Sequence, residues 1–140
     1  MLKYVILVTS LLVPVLVAGP ASADANRDAI LKALADQAKA EDPAFTGFSA
    51  KDGQAFFLGT HTGGKPDTPS CSVCHTKDPH AMGQTRAGKP IDPMAVSANP
   101  NRFTDPAKVD KWLRRNCDTV LGRTCTAKEK GDVITYLSGI

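Results

Sequence analysis

Along the chain, apolar residues recur at helical rather than strand spacing. Ile30, Ala33, Leu34 and Ala38 share one face of a predicted helix over 24–40, with Asp28, Lys32, Asp36 and Lys39 mainly away from it. Asp42-Pro43 ends this helix, because a residue before proline is pushed out of the helical region. A second helix is expected from Ser49, which with Asp52 makes a capping-box-like pair ahead of Ala55-Phe56-Phe57-Leu58. A third follows Thr104-Asp105-Pro106: Thr104 is an N-cap candidate, Asp105 an acid at the positive helix end, and Pro106 suits the first turn. Its apolar face is Val109, Trp112, Leu113, Asn116 and Val120, and Gly122 closes it. Thr126 and Glu129 form a second capping box, opening a last helix that turns Val133, Ile134 and Leu137 inward with Tyr136 beside them.

The stretches between helices are rich in breakers. Gly59–Pro69 reads as a Gly/Pro/Thr loop. Residues 76–104 carry Pro79, Pro90, Pro93 and Pro100 with Gly83 and Gly88, and read as a long irregular segment. A loop of that length needs something to wrap. No internal repeat or low-complexity tract is present.

Cys71-Ser72-Val73-Cys74-His75 supplies that object, since C-x-x-C-H is the signature of covalent c-type haem attachment. Two thiols at this spacing add across the two vinyl groups of one haem, and the adjacent imidazole becomes the proximal iron ligand. Zinc would need two further ligands, and the remaining cysteines, Cys117 and Cys125, stand eight apart rather than three. One motif implies one haem c, held by Cys71, Cys74 and His75.

Haem of this type is installed after export, and the N-terminus has the features of an export signal. Lys3 precedes an apolar run over Tyr4–Ala18, and Ala21-Ser22-Ala23 has the small-x-small form of a signal-peptidase site. The run is short for a membrane span, which takes about 20 residues. The expected organisation is a cleaved signal peptide over 1–23 and one monohaem cytochrome c domain over 24–140, placed in a bacterial periplasm through the Sec route. Loss of Lys3 lowers the formal charge of +3 by one. This is not a nucleic-acid-binding composition, and no stable membrane span is expected after cleavage. A domain of this size has a marginal core, so a buried macrocycle and a disulfide would both stabilise it.

The order of helix, haem motif, long loop, helix and terminal helix resembles a class I cytochrome c. The expected fold is all-α, of that class, with an extra N-terminal helix and long irregular haem-wrapping loops. Gly53 and Phe57 on one helix, and Val133 and Tyr136 on the other, stand where that fold crosses its helices. Glycine inside a helix costs roughly 1 kcal/mol relative to alanine, so Gly53 implies a close backbone approach.

The sixth iron ligand separates an electron carrier from a gas-binding site. Met94 is plausible by context, but nineteen residues after His75 is short for class I, and a core-filling role fits it better. Met82 lies too near His75 to wrap round to the distal face. His61 and His80 would give bis-histidine ligation, although solvent-facing positions suit both. Asn116 is an amide on an otherwise apolar stripe, and an inward amide left unpaired costs roughly 1–3 kcal/mol. Spacing alone leaves its partner open among a carbonyl, a cap and the iron.

Three runs decide between these: Asn99–Asp105, Lys108–Cys117 and Val120–Asp132, the second ending in Asn116-Cys117. With Ala44-Phe45 and Ser49-Ala50, they resemble the sphaeroides haem protein family over nearly all of the chain after the leader. These are exported high-spin class I cytochromes c of a domain-of-unknown-function type. The resemblance implies His75 as proximal ligand and Asn116 as distal ligand, with Cys117 in a disulfide. His80 is a departure from the family's motif. Cys125 is the expected partner of Cys117, because an exported chain rarely keeps two nearby thiols free. Trp112, Arg102 and Met94 are expected near the haem, with Trp112 and Arg102 as hydrogen-bond donors to the propionates.

Charge suggests partners. Between Lys108 and Lys130 lie Lys108, Lys111, Arg114, Arg115, Arg123, Lys128 and Lys130 against Asp110, Asp118 and Glu129. This excess predicts a positive surface near the distal helix for an acidic redox partner, and the resemblance implies a dihaem cytochrome c as donor, fed in turn by a membrane cytochrome b. The function expected is ferric His/Asn ligation, release of Asn116 on reduction, and binding of dioxygen, nitric oxide or carbon monoxide. The alternative is a plain His/Met carrier using Met94. No general base or substrate pocket is readable, so oxygen, nitric oxide or peroxide reduction rests on the resemblance alone.

Overall fold

The computed structural model describes Ala21–Ile140, with side chains from Asp24 onward. Residues 1–20, most of the expected signal peptide, lie outside the described residues. The helices are α1 (Ala21–Glu41), α2 (Ala50–Leu58), α3 (Ser72–His75), α4 (Pro106–Leu121) and α5 (Ala127–Ser138). The fold is all-α with a single small hairpin, β1 (Gly83–Gln84) and β2 (Pro90–Ile91).

α1 begins three residues earlier than expected, because Ala21-Ser22-Ala23 carries no helix breaker and continues the helix upstream. Its inward residues are Ile30 and Ala38, which are buried, whereas Ala33 is exposed. Glu41, at its last position, accepts the main-chain N–H of Ala127 at 2.9 Å and so fills one of the open donors at the start of α5. Arg27 is buried and donates to the carbonyls of Pro100 and Arg102 at 2.9 and 3.1 Å, pinning the loop before α4 to α1.

The α2–α5 crossing forms as the sequence predicts. Gly53 meets the backbone of Asp132 and Val133, and Phe57, Val133, Tyr136 and Leu137 form the buried cluster around it. Ser49 caps α2 by accepting the Asp52 N–H at 3.1 Å, and its own N–H donates to Asp132 Oδ1 at 2.8 Å, so cap and crossing share a carboxylate. Thr126 and Glu129 form the full reciprocal capping box of α5. At α4 the cap is Asp105 rather than Thr104. Pro106 at the first helical position holds Asp105 extended, where its carboxylate accepts the Lys108 N–H at 3.0 Å. The Thr104 hydroxyl donates instead to the Asn101 carbonyl.

The segment over 76–104 is less irregular than expected. β1 and β2 pair antiparallel in the register Gly83 to Ile91 and Gln84 to Pro90, turned by Gly88 at a φ of 77°. Proline and glycine, read as breakers, here serve a two-residue ladder too short to show alternation.

Among the described residues, α4 packs less closely on the other helices than α1 and α2 do on α5. Its C-terminal half is buried through Cys117, Val120 and Leu121 against Cys125 and Phe56. Gly122 ends it in the left-handed region at a φ of 67°. There the loop at Gly63 and Gly64 touches its last turn, and Lys65 N–H donates to the Thr119 carbonyl at 2.8 Å. Between the rest of α4 and the α2–α5 crossing lies a cleft.

Candidate functional site

The cleft is walled on one side by the haem motif. Cys71 caps α3, and the His75 N–H donates to the Cys71 carbonyl at 3.1 Å, so the motif closes one tight turn. The Ser70 hydroxyl donates to the Phe57 carbonyl at 3.2 Å and meets the Ser72 hydroxyl at 2.8 Å, which ties this turn to α2. Behind it runs the β1 backbone: a Cβ on Gly83 would lie 2.3 Å from the Cys74 carbonyl oxygen. The motif is therefore held from both sides.

His75 and Cys71 line the cleft together with Phe56, Phe57 and Val133. Burial, and after it the positive charge of Arg102, lowers the His75 imidazole to about 4 from its usual 6.5. It is neutral near pH 7 and keeps a lone pair for a metal. Its Nδ1 is buried with no hydrogen-bond partner. Burial likewise pushes the unattached Cys71 thiol up to about 11. Neither Cys71 nor Cys74 is tied in a disulfide, so both are available for thioether bonds.

Opposite them, α4 presents Leu113, Asn116, Cys117, Val120 and Leu121 to the same cleft. Asn116 is thus the polar group of α4 that faces the wall carrying His75. Cys117, the next residue, is bonded to Cys125 across a Cα separation of 5.6 Å. An unpaired imidazole and two free thiols on one wall, with an amide across a mostly apolar cleft, form a donor set that suits a covalently bound haem.

The other candidate ligands stand elsewhere. Met94 packs against the Phe57, Val133, Tyr136 and Leu137 cluster and does not line the cleft. Met82 is 53 % exposed. The His61 ring lies 2.8 Å from the Phe56 carbonyl and makes a tilted contact with the Phe56 ring, outside the cleft lining. His80 is half exposed beside Asp78.

Two expected haem contacts have partners of their own within the chain. Arg102 donates from Nε to the Pro93 carbonyl at 2.8 Å and from Nη2 to the Asp92 carbonyl at 2.5 Å, clamping the loop that follows β2. Trp112 is 51 % exposed rather than turned inward. Its indole contacts the Lys111 ammonium at 5.4 Å and the Arg115 guanidinium at 5.2 Å, each worth about 0.5–1 kcal/mol at an exposed position.

The basic surface is narrower than the composition suggests. Lys108, Lys111, Arg114 and Arg115 are exposed on α4, whereas Arg123 is committed to Glu129 and Lys128 to Asp132 and Asp52. Lys130 is not on that surface at all: it is buried, and it lines the cleft with Glu129. The signal was its spacing, three and four before Val133 and Ile134 on the inward stripe of α5.

Residues 43–137 match the family described as a domain of unknown function, DUF1924. The chain is 51 % identical to the cytochrome c-type protein SHP of Cereibacter sphaeroides over 128 residues, 91 % of this chain and 95 % of that protein. It is 32 % identical to cytochrome c'' of Methylophilus methylotrophus over 113 residues, 80 % of this chain and 78 % of the other. The structure of oxidised SHP, described as an oxygen-binding cytochrome c, superposes with a TM-score of 0.75 at 46 % identity, covering 81 % of this chain and 96 % of that one. Oxidised cytochrome c'' superposes with a TM-score of 0.69 at 31 % identity, over 81 % of this chain and 93 % of the other. Its solution structure, described in terms of haem-ligand detachment, gives 0.67 at 32 % identity, over 81 % and 92 %. The chain belongs to the SHP family of DUF1924 proteins, and is a monohaem c-type cytochrome carrying covalently bound haem c.

Proposed function

We propose that this cytochrome is a redox-gated receptor for diatomic gases, in which His75 is the proximal ligand and Asn116 a distal ligand that lets go on reduction. The observation that carries this reading is the placement of Asn116 in one cleft with His75, while Met94, Met82, His61 and His80 lie outside it. Bound there through Cys71 and Cys74, the haem would supply an iron that changes between ferric and ferrous.

Asn116 offers a neutral amide oxygen, a hard and weak donor better matched to ferric than to ferrous iron. Reduction of a bound haem would therefore loosen Asn116 and leave the cleft open to dioxygen, nitric oxide or carbon monoxide. His75, anchored between Ser70 and Gly83, keeps its place. Leu113 and Val120, beside Asn116 on α4, leave a mostly apolar pocket for a small neutral ligand. The relatives support the reading: SHP is described as oxygen binding, and cytochrome c'' in terms of ligand detachment.

Electrons would come from a redox partner, a dihaem cytochrome c by family resemblance, docking on the basic face of α4. Lys3, the apolar run after it and Ala21-Ser22-Ala23 support export to the periplasm with cleavage after Ala23. Among the described residues no helix is long and apolar enough to cross a membrane.

Absorption and resonance Raman spectra of the holoprotein test the proposal. The ferric form should give a spectrum that Asn116→Ala changes and Met94→Leu does not, and the ferrous form should be five-coordinate and take up carbon monoxide. A reduced protein that stays six-coordinate and low-spin, and ignores carbon monoxide, would refute it.

A further inference from the structure

Lys130 sits in the partition between two cavities. One is the cleft that holds His75 and Asn116. The other is a groove of about 170 Å³ between α1 and α4, open at the surface and bordered by Leu34, Val109 and Asp110. Leu113 and Lys130 line both.

The ammonium in that partition is poorly compensated. The Lys130 side chain is 10 % exposed, and removing a cation from water costs several kcal/mol unless it is well paired. Among the described residues its one carboxylate partner is Asp110, at 4.0 Å, and that side chain is itself 68 % exposed. Neighbouring charges do not help. Glu129 gives its oxygens to Arg123 at 2.7 and 2.8 Å and to the Thr126 N–H. Asp132 is taken by Lys128 and the Ser49 N–H. A largely buried cation, loosely held between that groove and the cleft lined by Asn116, is a receptor for an anion.

We propose that Lys130 is an anion-recruiting residue of the distal side: it draws small inorganic monoanions of the azide and nitrite class from the α1–α4 groove and holds them beside Asn116. The inference rests on Asn116 being a displaceable ligand. Lys130 exchanges Asp110 for the incoming anion, so the cation stays paired while the exposed Asp110 carboxylate returns to water. A neutral diatomic gains little from a full positive charge, so anions and neutral gases respond differently to this residue.

The test is spectroscopic titration of the purified holoprotein, azide against the ferric form and carbon monoxide against the ferrous form. Lys130→Met should weaken azide by about ten-fold, the value of one hydrogen bond to a charged group, and leave carbon monoxide within about two-fold. Lys130→Arg should retain azide binding. Asp110→Asn, an exposed substitution that removes the competing carboxylate, should tighten azide. If Lys130→Met shifts azide and carbon monoxide together, the residue serves packing or pairs with the haem carboxylates, and the proposal is overturned. It is equally overturned if Asp110→Asn fails to tighten azide, an outcome readable even if Lys130→Met does not fold. A wild-type protein that takes carbon monoxide but no azide overturns this inference alone. One that takes neither overturns the Asn116 reading and this inference with it.

Discussion

Gly53 and Asp132 meet backbone to backbone: a Cβ built on Gly53 would lie 2.0 Å from the Asp132 carbonyl oxygen and 2.9 Å from the Val133 nitrogen. Both neighbours are main chain and cannot swing aside. Gly53→Ala must therefore separate α2 from α5, an overpacking that typically costs about 1–3 kcal/mol. The melting temperature of the holoprotein should fall by at least about 5 °C. An unchanged melting curve would show that the crossing is looser than described.

The bond between Cys117 and Cys125 closes a short loop containing Gly122, worth about 2.5 kcal/mol by loop entropy. Because Cys117 follows Asn116 directly, the double replacement Cys117→Ser with Cys125→Ser should lower thermal stability. It should also alter the ferric spectrum, as α4 loses its covalent tie. Thiol titration of the unreduced wild-type holoprotein should detect none. Two reactive thiols would remove the staple.

Acid should weaken the fold through its carboxylates. Glu129 and Asp78 have carboxyl groups held below their usual values, by Arg123 and by hydrogen bonds from His80 respectively. The unfolded state therefore takes these protons first as pH falls, and their contribution is lost below 4.5 and 3.8 respectively. Denaturant midpoints of the holoprotein measured across pH should fall in that window. A flat profile between about pH 5 and about pH 3 would contradict this.

Electron delivery should depend on the outer face of α4. Reversing Lys111 and Arg115, which flank the exposed Trp112, should slow reduction by an acidic cytochrome partner by about ten-fold at low salt, with the difference shrinking as ionic strength rises. Rates indifferent to salt and to both substitutions would place the dock elsewhere.

Much of this architecture was legible because it rests on local rules. Gly53 inside a helix announced a close approach, Thr126 with Glu129 announced a helix start, and C-x-x-C-H announced its cofactor. Thr104 misled as a cap because Pro106 dictates the conformation of its immediate neighbour, Asp105. The β1–β2 ladder was hidden because two-residue strands leave no period to read. Lys130 and Trp112 were exchanged: the charged residue went inside and the aromatic outside. Lys130 has a long apolar stem that follows the stripe of α5. Trp112 stands at the border of the α4 stripe, where two adjacent cations hold its ring in solvent. Composition could not reveal either placement, since each depends on what stands across the gap.

α4 is gripped hardest at its C-terminal end, where a covalent bond and a loop hold its final turn. A disturbance at Asn116 therefore meets firm packing against Phe56 on the C-terminal side and passes more easily toward the other half of the helix, where Trp112 and the cations beside it stand. The oxidation state of the metal would then be felt on the outside of the molecule, at the surface where a partner waits.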